Sequence, residues 1–268
     1  MNFKRVLVLS IIILISSNIF ALKPDTTSYA YHPDSYGVLY KEYFIQTSDG
    51  VNLKSWVCTP KKDVDNKQTL ILAYGDAGNM SYFLTQISKL VKSGFSVVAF
   101  DYRGFGESES FKINKDYLYY NEFSTDLVSV IRWTKNNLEN NKTGIWALSM
   151  GTIMTTLALQ EENVDFLIAE GFVVSPLKIT QKIKELKNRD LLLPKGYDKY
   201  KNILMHLSVK TLLFAGNKDI VTTVDDSKFV KKLNVKNKLI EFEGNHLQGF
   251  KVLDSGARYI SEIRQFID

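Results

Sequence analysis

The residues best placed to do chemistry together are a serine, an aspartate and a histidine in the second half of the chain. Ser149 lies in Ile145-Trp146-Ala147-Leu148-Ser149-Met150-Gly151, where an apolar run that reads as a buried strand meets a helix-forming run over residues 152–160. A serine on a sharp strand-to-helix turn presents its hydroxyl as a nucleophile. Such a turn crowds the neighbours two positions to either side, and Ala147 and Gly151 are small enough to fit. The helix that follows points its positive end at any charge developing on an oxygen beside the serine. The hydroxyl needs a base to take its proton and an acid to orient that base. Of the three histidines, His32 lies in an irregular lead-in and His206 in a long insertion, whereas His246 follows the last apparent strand. Asp219, in Phe214-Ala215-Gly216-Asn217-Lys218-Asp219, sits just past another strand end. Glu170, at the end of the preceding strand, is the alternative acid. A loop able to hold an oxyanion follows residues 69–74: Tyr74-Gly75-Asp76-Ala77-Gly78-Asn79, whose glycines let the backbone come close to a substrate. The expected donors are the backbone N–H groups of Asp76 and Met150. Each feature alone is also an ordinary turn. Together they point to nucleophilic hydrolysis at an acyl carbonyl.

These side chains converge only if a sheet places their loops at one edge. Residues 43–47 and 51–59 read as an antiparallel hairpin around Ser48-Asp49-Gly50. From residue 69 onward, short apolar runs at 69–74, 96–100, 142–148, 166–170, 211–215 and 238–242 alternate with amphipathic stretches at 80–93, 121–137, 152–160, 225–233 and 255–267. That is the pattern of an α/β domain with a mostly parallel sheet covered on both faces, whose ligands gather at the carboxyl ends of the strands. Residues 175–207 interrupt the alternation. They contain a helical stretch at 178–187 and form either a small cap over the site or a longer crossover. Arg103, in the turn over residues 101–108, is expected to tie that turn together through hydrogen bonds.

A chain of 268 residues with 45% hydrophobic and 24% charged residues can bury one sizeable core as a single domain. Its charge of +5 includes Lys4 and Arg5. Those two open a segment with the marks of a secretory signal: a short basic start, an apolar run over residues 6–15 and small residues up to Ala21, after which cleavage is expected. An uncleaved anchor is the alternative. The remaining charge is too mild and too scattered for nucleic acid. The basic cluster Lys182, Lys184, Lys187 and Arg189 reads as a solvated helix face. The lone cysteine, Cys58, has no intramolecular disulfide partner and reads as a buried thiol. No H-E-x-x-H, Cys/His cluster, P-loop or G-x-G-x-x-G is present, so neither a metal nor a cofactor is implied.

Over roughly residues 40–268 the chain resembles the serine-type α/β-hydrolases. It is most similar to the subgroup with a His-Gly-Asn-Ala-Gly-Asn oxyanion loop and an Asp-Tyr-Arg-Gly-x-Gly-x-Ser turn, here Tyr74 to Asn79 and Asp101-Tyr102-Arg103-Gly104-Phe105-Gly106-Glu107-Ser108. The resemblance implies an α/β-hydrolase fold with an eight-stranded, mostly parallel sheet. It also implies a Ser149–Asp219–His246 triad, a small acyl substrate, no cofactor, and cleavage of an ester or related acyl bond. A peptidase, thioesterase or acyltransferase on the same triad, or an inactive binding protein of this fold, are the alternative functions. Ala147 stands where the family has the first elbow glycine. Tyr74 stands where it has a histidine, which is expected to bear on the pocket wall or the oxyanion loop and so on substrate preference.

Overall fold

The computed structural model describes residues 22–139 and 141–267, so the expected leader, residues 1–21, lies outside the described residues. The apolar runs form one eight-stranded sheet. Its strands are β1 (Leu39–Gln46), β2 (Asn52–Thr59), β3 (Gln68–Ala73), β4 (Phe95–Phe100), β5 (Lys142–Leu148), β6 (Phe166–Glu170), β7 (Thr211–Gly216) and β8 (Lys238–Phe242). Across the sheet the order is β8-β7-β6-β5-β3-β4-β2-β1. The hairpin β1–β2 is antiparallel and β2 runs antiparallel to β4, while β3 to β8 all pair in parallel. Parallel strands buried on both faces read as unbroken apolar runs, which is why β5 and β6 begin and end at the residues their sequence predicts.

The strand order reverses at β3: the chain steps from β3 to β4 on one side and returns to β5 on the other. Loops leaving the carboxyl ends of β3 and β5 therefore diverge and leave a crevice between them, the place where open α/β sheets take ligands. Ser149 leaves β5, and residues 75–79 leave β3.

Helices α1 (Leu84–Lys92), α2 (Tyr120–Asn137), α3 (Gly151–Ala158), α6 (Val224–Leu233) and α8 (Ala257–Ile267) cover the faces. Between α3 and α6 lie α4 (Pro176–Lys187) and α5 (Tyr200–Met205), and the short α7 (Gly249–Val252) precedes α8. The expected helix over residues 80–93 starts as a 3₁₀ turn, Met80–Phe83, because the Asn79 side chain caps the Ser81 N–H at 3.0 Å and tightens the entry. Helix α4 begins with Ser175 accepting from the Lys178 N–H at 3.2 Å and with Pro176 in the first turn.

Arg103 is buried, and its Nε donates to Asp126 Oδ1 at 2.8 Å while its two terminal nitrogens meet Asp49 at 2.7 and 2.9 Å. Asp126 also accepts the Arg103 N–H at 2.9 Å, so one residue locks the turn to α2 and to the hairpin. Cys58 is buried and unpaired, and burial pushes its thiol up to about 12.

Arg103→Met strands the Asp126 carboxylate, whose side chain is fully buried. The variant is expected to lose about 3–5 kcal/mol in urea unfolding, and adding Asp126→Asn to recover part of that loss.

Candidate active site

The turn between β5 and α3 forces Ser149 to φ +52°, the left-handed region that a serine rarely enters. Two contacts hold it there. The Ser149 N–H donates to the Glu170 carbonyl at 2.9 Å, and its own carbonyl accepts from the N–H and hydroxyl of Thr152 at 2.9 and 2.7 Å. Gly151 lets α3 settle on β3: a Cβ there would lie 1.9 Å from the Ala73 carbonyl oxygen. Ala147 is fully buried in β5, so a small residue suffices where the resembling family carries glycine.

His246 Nε2 lies 2.9 Å from Ser149 Oγ, and His246 Nδ1 lies 2.6 Å from Asp219 Oδ2. The three residues come from loops after β5, β7 and β8. Asp219 is nearly buried and has no shortage of donors: Val221 N–H at 2.8 Å and Thr222 N–H at 3.0 Å reach Oδ1, and the Thr222 hydroxyl reaches Oδ2 at 2.7 Å. Burial alone would raise this carboxyl, but the hydrogen bonds from His246 and Thr222 hold it below its ordinary value. It is therefore a carboxylate facing the imidazole, able to fix the ring with Nδ1 protonated and Nε2 directed at the serine.

Sequence reasoning missed two residues here. Thr222 braces Asp219 and stands 3.2 Å from His246 Nδ1. Gly171, just past β6, makes room for the ring, since a Cβ at that position would lie 2.8 Å from His246 Cε1. A glycine just past a strand end was the available signal; its positive φ and what it faces are seen only in the fold.

The Glu170 carboxyl is not hydrogen-bonded to His246. Its Oε1 accepts the Gly249 N–H at 2.6 Å, anchoring the start of α7 behind the histidine loop. Burial raises this carboxyl to about 7.

The loop after β3 passes close to the serine: a Cβ on Gly75 would lie 3.6 Å from Ser149 Cβ. Asp76, Met150, Ser149 and His246 border a common pocket of about 210 Å³. The Met150 amide stands just ahead of the first turn of α3, where N–H groups have no partner within the helix. The rest of the pocket is mostly aliphatic, with Leu118, Ile153, Val173, Ile179, Ile183 and Leu191 among its walls. Residues of α4 thus form one side of the pocket.

Of the two places expected for Tyr74, the pocket wall or the oxyanion loop, the structure gives the loop and not the wall. Tyr74 is fully buried, and its hydroxyl donates to Asp101 Oδ1 at 2.9 Å beneath the loop. One expectation is corrected: the basic cluster is not a uniform solvated face. Lys182 borders the pocket, whereas Lys184 pairs with Asp190 and Arg189 with Asp116 on the outside. The helical spacing of Ile179, Lys182, Ile183 and Leu186 puts Lys182 on the inward stripe. His206 stands apart, exposed, with Nδ1 2.8 Å from the Asn202 carbonyl.

An esterase from Pyrococcus furiosus, Pf2001, superposes with a TM-score of 0.74 over 92% of this chain and 97% of that one, at 20% identity. The chain has the α/β-hydrolase fold. An esterase from Exiguobacterium antarcticum shares the hydrolase fold with a TM-score of 0.62, 19% identity, and coverage of 85% of this chain and 99% of that one. The family model described as serine aminopeptidase, S33, matches residues 64–186. Among curated relatives, a lysophosphatidylserine lipase, ABHD12, of Rattus norvegicus is 28% identical over 152 residues, 48% of this chain and 37% of the relative. An uncharacterized 31.7 kDa protein of Escherichia coli is 28% identical over 140 residues, 50% of this chain and 48% of the relative. The matched stretches span less than half the length of either relative.

A carboxyl whose folded pKa lies above its unfolded value binds its proton more tightly in the folded state. The stability Glu170 contributes is therefore complete below its ordinary 4.5 and is lost as pH rises through about 7. Glu170→Gln keeps an acceptor for the Gly249 N–H and is expected to reduce the fall in Tm between about pH 5 and pH 8 seen in the unsubstituted protein. Thermal unfolding monitored across that range checks it.

Proposed function

We propose that the protein is a serine hydrolase that cleaves a carboxylic ester, or a related acyl bond, of a small substrate through an acyl-enzyme. The observation that carries this reading is the unbroken line Asp219–His246–Ser149, at 2.6 and 2.9 Å, opening into an aliphatic pocket. Ser149 Oγ attacks the acyl carbonyl as its proton passes to His246 Nε2, and Asp219 stabilises the imidazolium that forms. The amides of Asp76 and Met150 receive the oxyanion. Collapse of the tetrahedral adduct expels the alcohol with the proton from His246, and water repeats the sequence to release the acid.

An aliphatic pocket of about 210 Å³ lies below the ~300–1,000 Å³ of sites for drug-sized ligands and suits a short to medium acyl chain. Residues 175–207 serve as a cap that shapes this chain pocket. Support for ester chemistry comes from the esterases of the same fold and from the lipase among the relatives. In this reading the enzyme is exported through the leader of residues 1–21. Among the described residues no helix is long and apolar enough to cross a membrane.

A fluorophosphonate probe is expected to modify Ser149, as located by mass mapping, and Ser149→Ala to lower kcat on a chromogenic ester at least about 10⁴-fold with the fold retained. Asp219→Asn is expected to cost about 10⁴-fold in kcat, whereas Glu170→Gln stays within about tenfold, which separates the two acids. Turnover unchanged by Ser149→Ala would sink the proposal. A panel of esters, thioesters and aminoacyl amides ranks the leaving groups.

The pocket makes a separate prediction. Ile183→Trp fills it from α4, so KM should rise for longer acyl chains and stay unchanged for acetyl esters; a uniform change across the series would remove the chain from this pocket.

A further inference from the structure

Residues 22–37 read in the sequence as an irregular lead-in without chemistry. In the fold, Lys23–Pro24 form a two-residue parallel pairing with Ala77–Gly78, inside the loop that passes the serine. The Lys23 N–H donates to the Asp76 carbonyl at 2.8 Å, and the Asp25 N–H to the Gly78 carbonyl at 2.9 Å.

This arm is itself pinned. Leu22 is fully buried and its N–H reaches the Lys115 carbonyl at 3.2 Å. The Asp25 carbonyl accepts the Gly106 N–H at 2.8 Å, and Asp25 Oδ2 accepts the Tyr82 hydroxyl at 2.8 Å. The two ends of the loop are tied to one carboxylate: Asp101 Oδ1 accepts the Tyr74 hydroxyl at 2.9 Å and the Met80 N–H at 2.6 Å. Tyr29, from the same lead-in, donates to the other oxygen of Asp101. The loop is thus clamped at both ends by Asp101 and in its middle by the arm.

We infer that residues 23–25 are positioning residues for the oxyanion step, holding the loop so that the Asp76 N–H, and no loop carbonyl, faces the developing charge. This rests on the hydrolase reading above. A carbonyl turned toward an oxyanion repels it, whereas an N–H stabilises it. Lys23 and Asp25 engage the Asp76 and Gly78 carbonyls and draw both toward the arm. The interaction matters only once negative charge develops on the substrate oxygen, so its loss appears in kcat and not in KM.

The test separates the backbone donor from the side chain. Lys23→Ala keeps the N–H and removes only an exposed side chain; Lys23→Pro removes the N–H. With a chromogenic ester, Lys23→Ala is expected within about twofold of the unsubstituted protein, and Lys23→Pro to lose roughly 10- to 100-fold in kcat with KM within about twofold. Affinity for a trifluoromethyl ketone, which forms a tetrahedral oxyanion on Ser149, should fall in parallel with kcat, and the pH profile of kcat/KM should not shift. A Lys23→Pro protein with kcat within about twofold of Lys23→Ala overturns the inference. If Lys23→Pro lacks a cooperative thermal transition, Tyr82→Phe decides, since Tyr82 is exposed and the change removes only its bond to Asp25. A kcat about threefold or more lower supports the inference, and an unchanged kcat overturns it. Absence of both turnover and fluorophosphonate labelling in the unsubstituted protein would overturn the hydrolase reading itself, and this inference with it.

Discussion

No Cβ fits on residue 151: it would lie 1.9 Å from the Ala73 carbonyl oxygen. That contact between α3 and β3 is what the site depends on, because it brings the first turn of α3 directly over the end of the sheet and leaves the chain too little room for a relaxed turn. Ser149 absorbs the strain at φ +52°, a conformation of order 1–3 kcal/mol above an ordinary one. The surroundings offset it. β5 is almost wholly buried between β3 and β6, and the Thr152 hydroxyl, besides bonding Ser149, accepts the Val173 N–H at 3.0 Å from the chain leaving β6. The elbow is therefore stitched to both neighbouring strands, and the serine hydroxyl stands 2.9 Å from His246 Nε2.

Three buried or nearly buried carboxyls near this edge show how surroundings divide one chemical group among different tasks. Asp219 accepts three hydrogen bonds from residues 221–222 besides the contact with His246, and is held ionised against the cost of burial. Glu170 and Asp101 sit deeper, and burial raises them to about 7 and about 6. Neither faces the serine. Each fastens a loop that does the facing: Glu170 the start of α7 behind His246, and Asp101 the two ends of the loop after β3. A charged, well-solvated-by-protein acid suits the role of orienting a base, while acids of raised pKa act here as multidentate acceptors of structural hydrogen bonds.

Most of the sheet was legible in the sequence because its parallel strands are buried on both faces and their hydrophobicity runs unbroken; β5, β6 and β8 lie where the residues alone put them. Ser149, Asp219 and His246 were legible because each ends a strand or follows one, so a topological rule brings them to one edge. What stayed hidden depends on pairs distant in sequence. Nothing local tells that Gly171 must vacate space for His246, that Thr222 turns its hydroxyl back onto Asp219, or that Tyr74 faces inward to Asp101. The arm at Lys23–Pro24 is too short to show a periodicity of two, and its proline argues against a strand until the pairing at the loop is seen.

The division of labour between sheet and insertion follows from the same packing. Ser149, Asp219, His246 and the proposed oxyanion amides are borne on the sheet edge, where strand register and buried contacts set them. The facing wall comes from α4 and its following loop, whose ion pairs, Lys182 with Glu185 at 3.5 Å and Lys184 with Asp190, lie near the surface and are individually weak. Substitutions in α4 can therefore reshape the pocket while Ser149 and His246 keep their separation. On the proposed hydrolase reading, that independence lets one frame accept different acyl groups, and it makes the inward residues of α4, not Ser149, Asp219 or His246, the place where substrate selectivity is set.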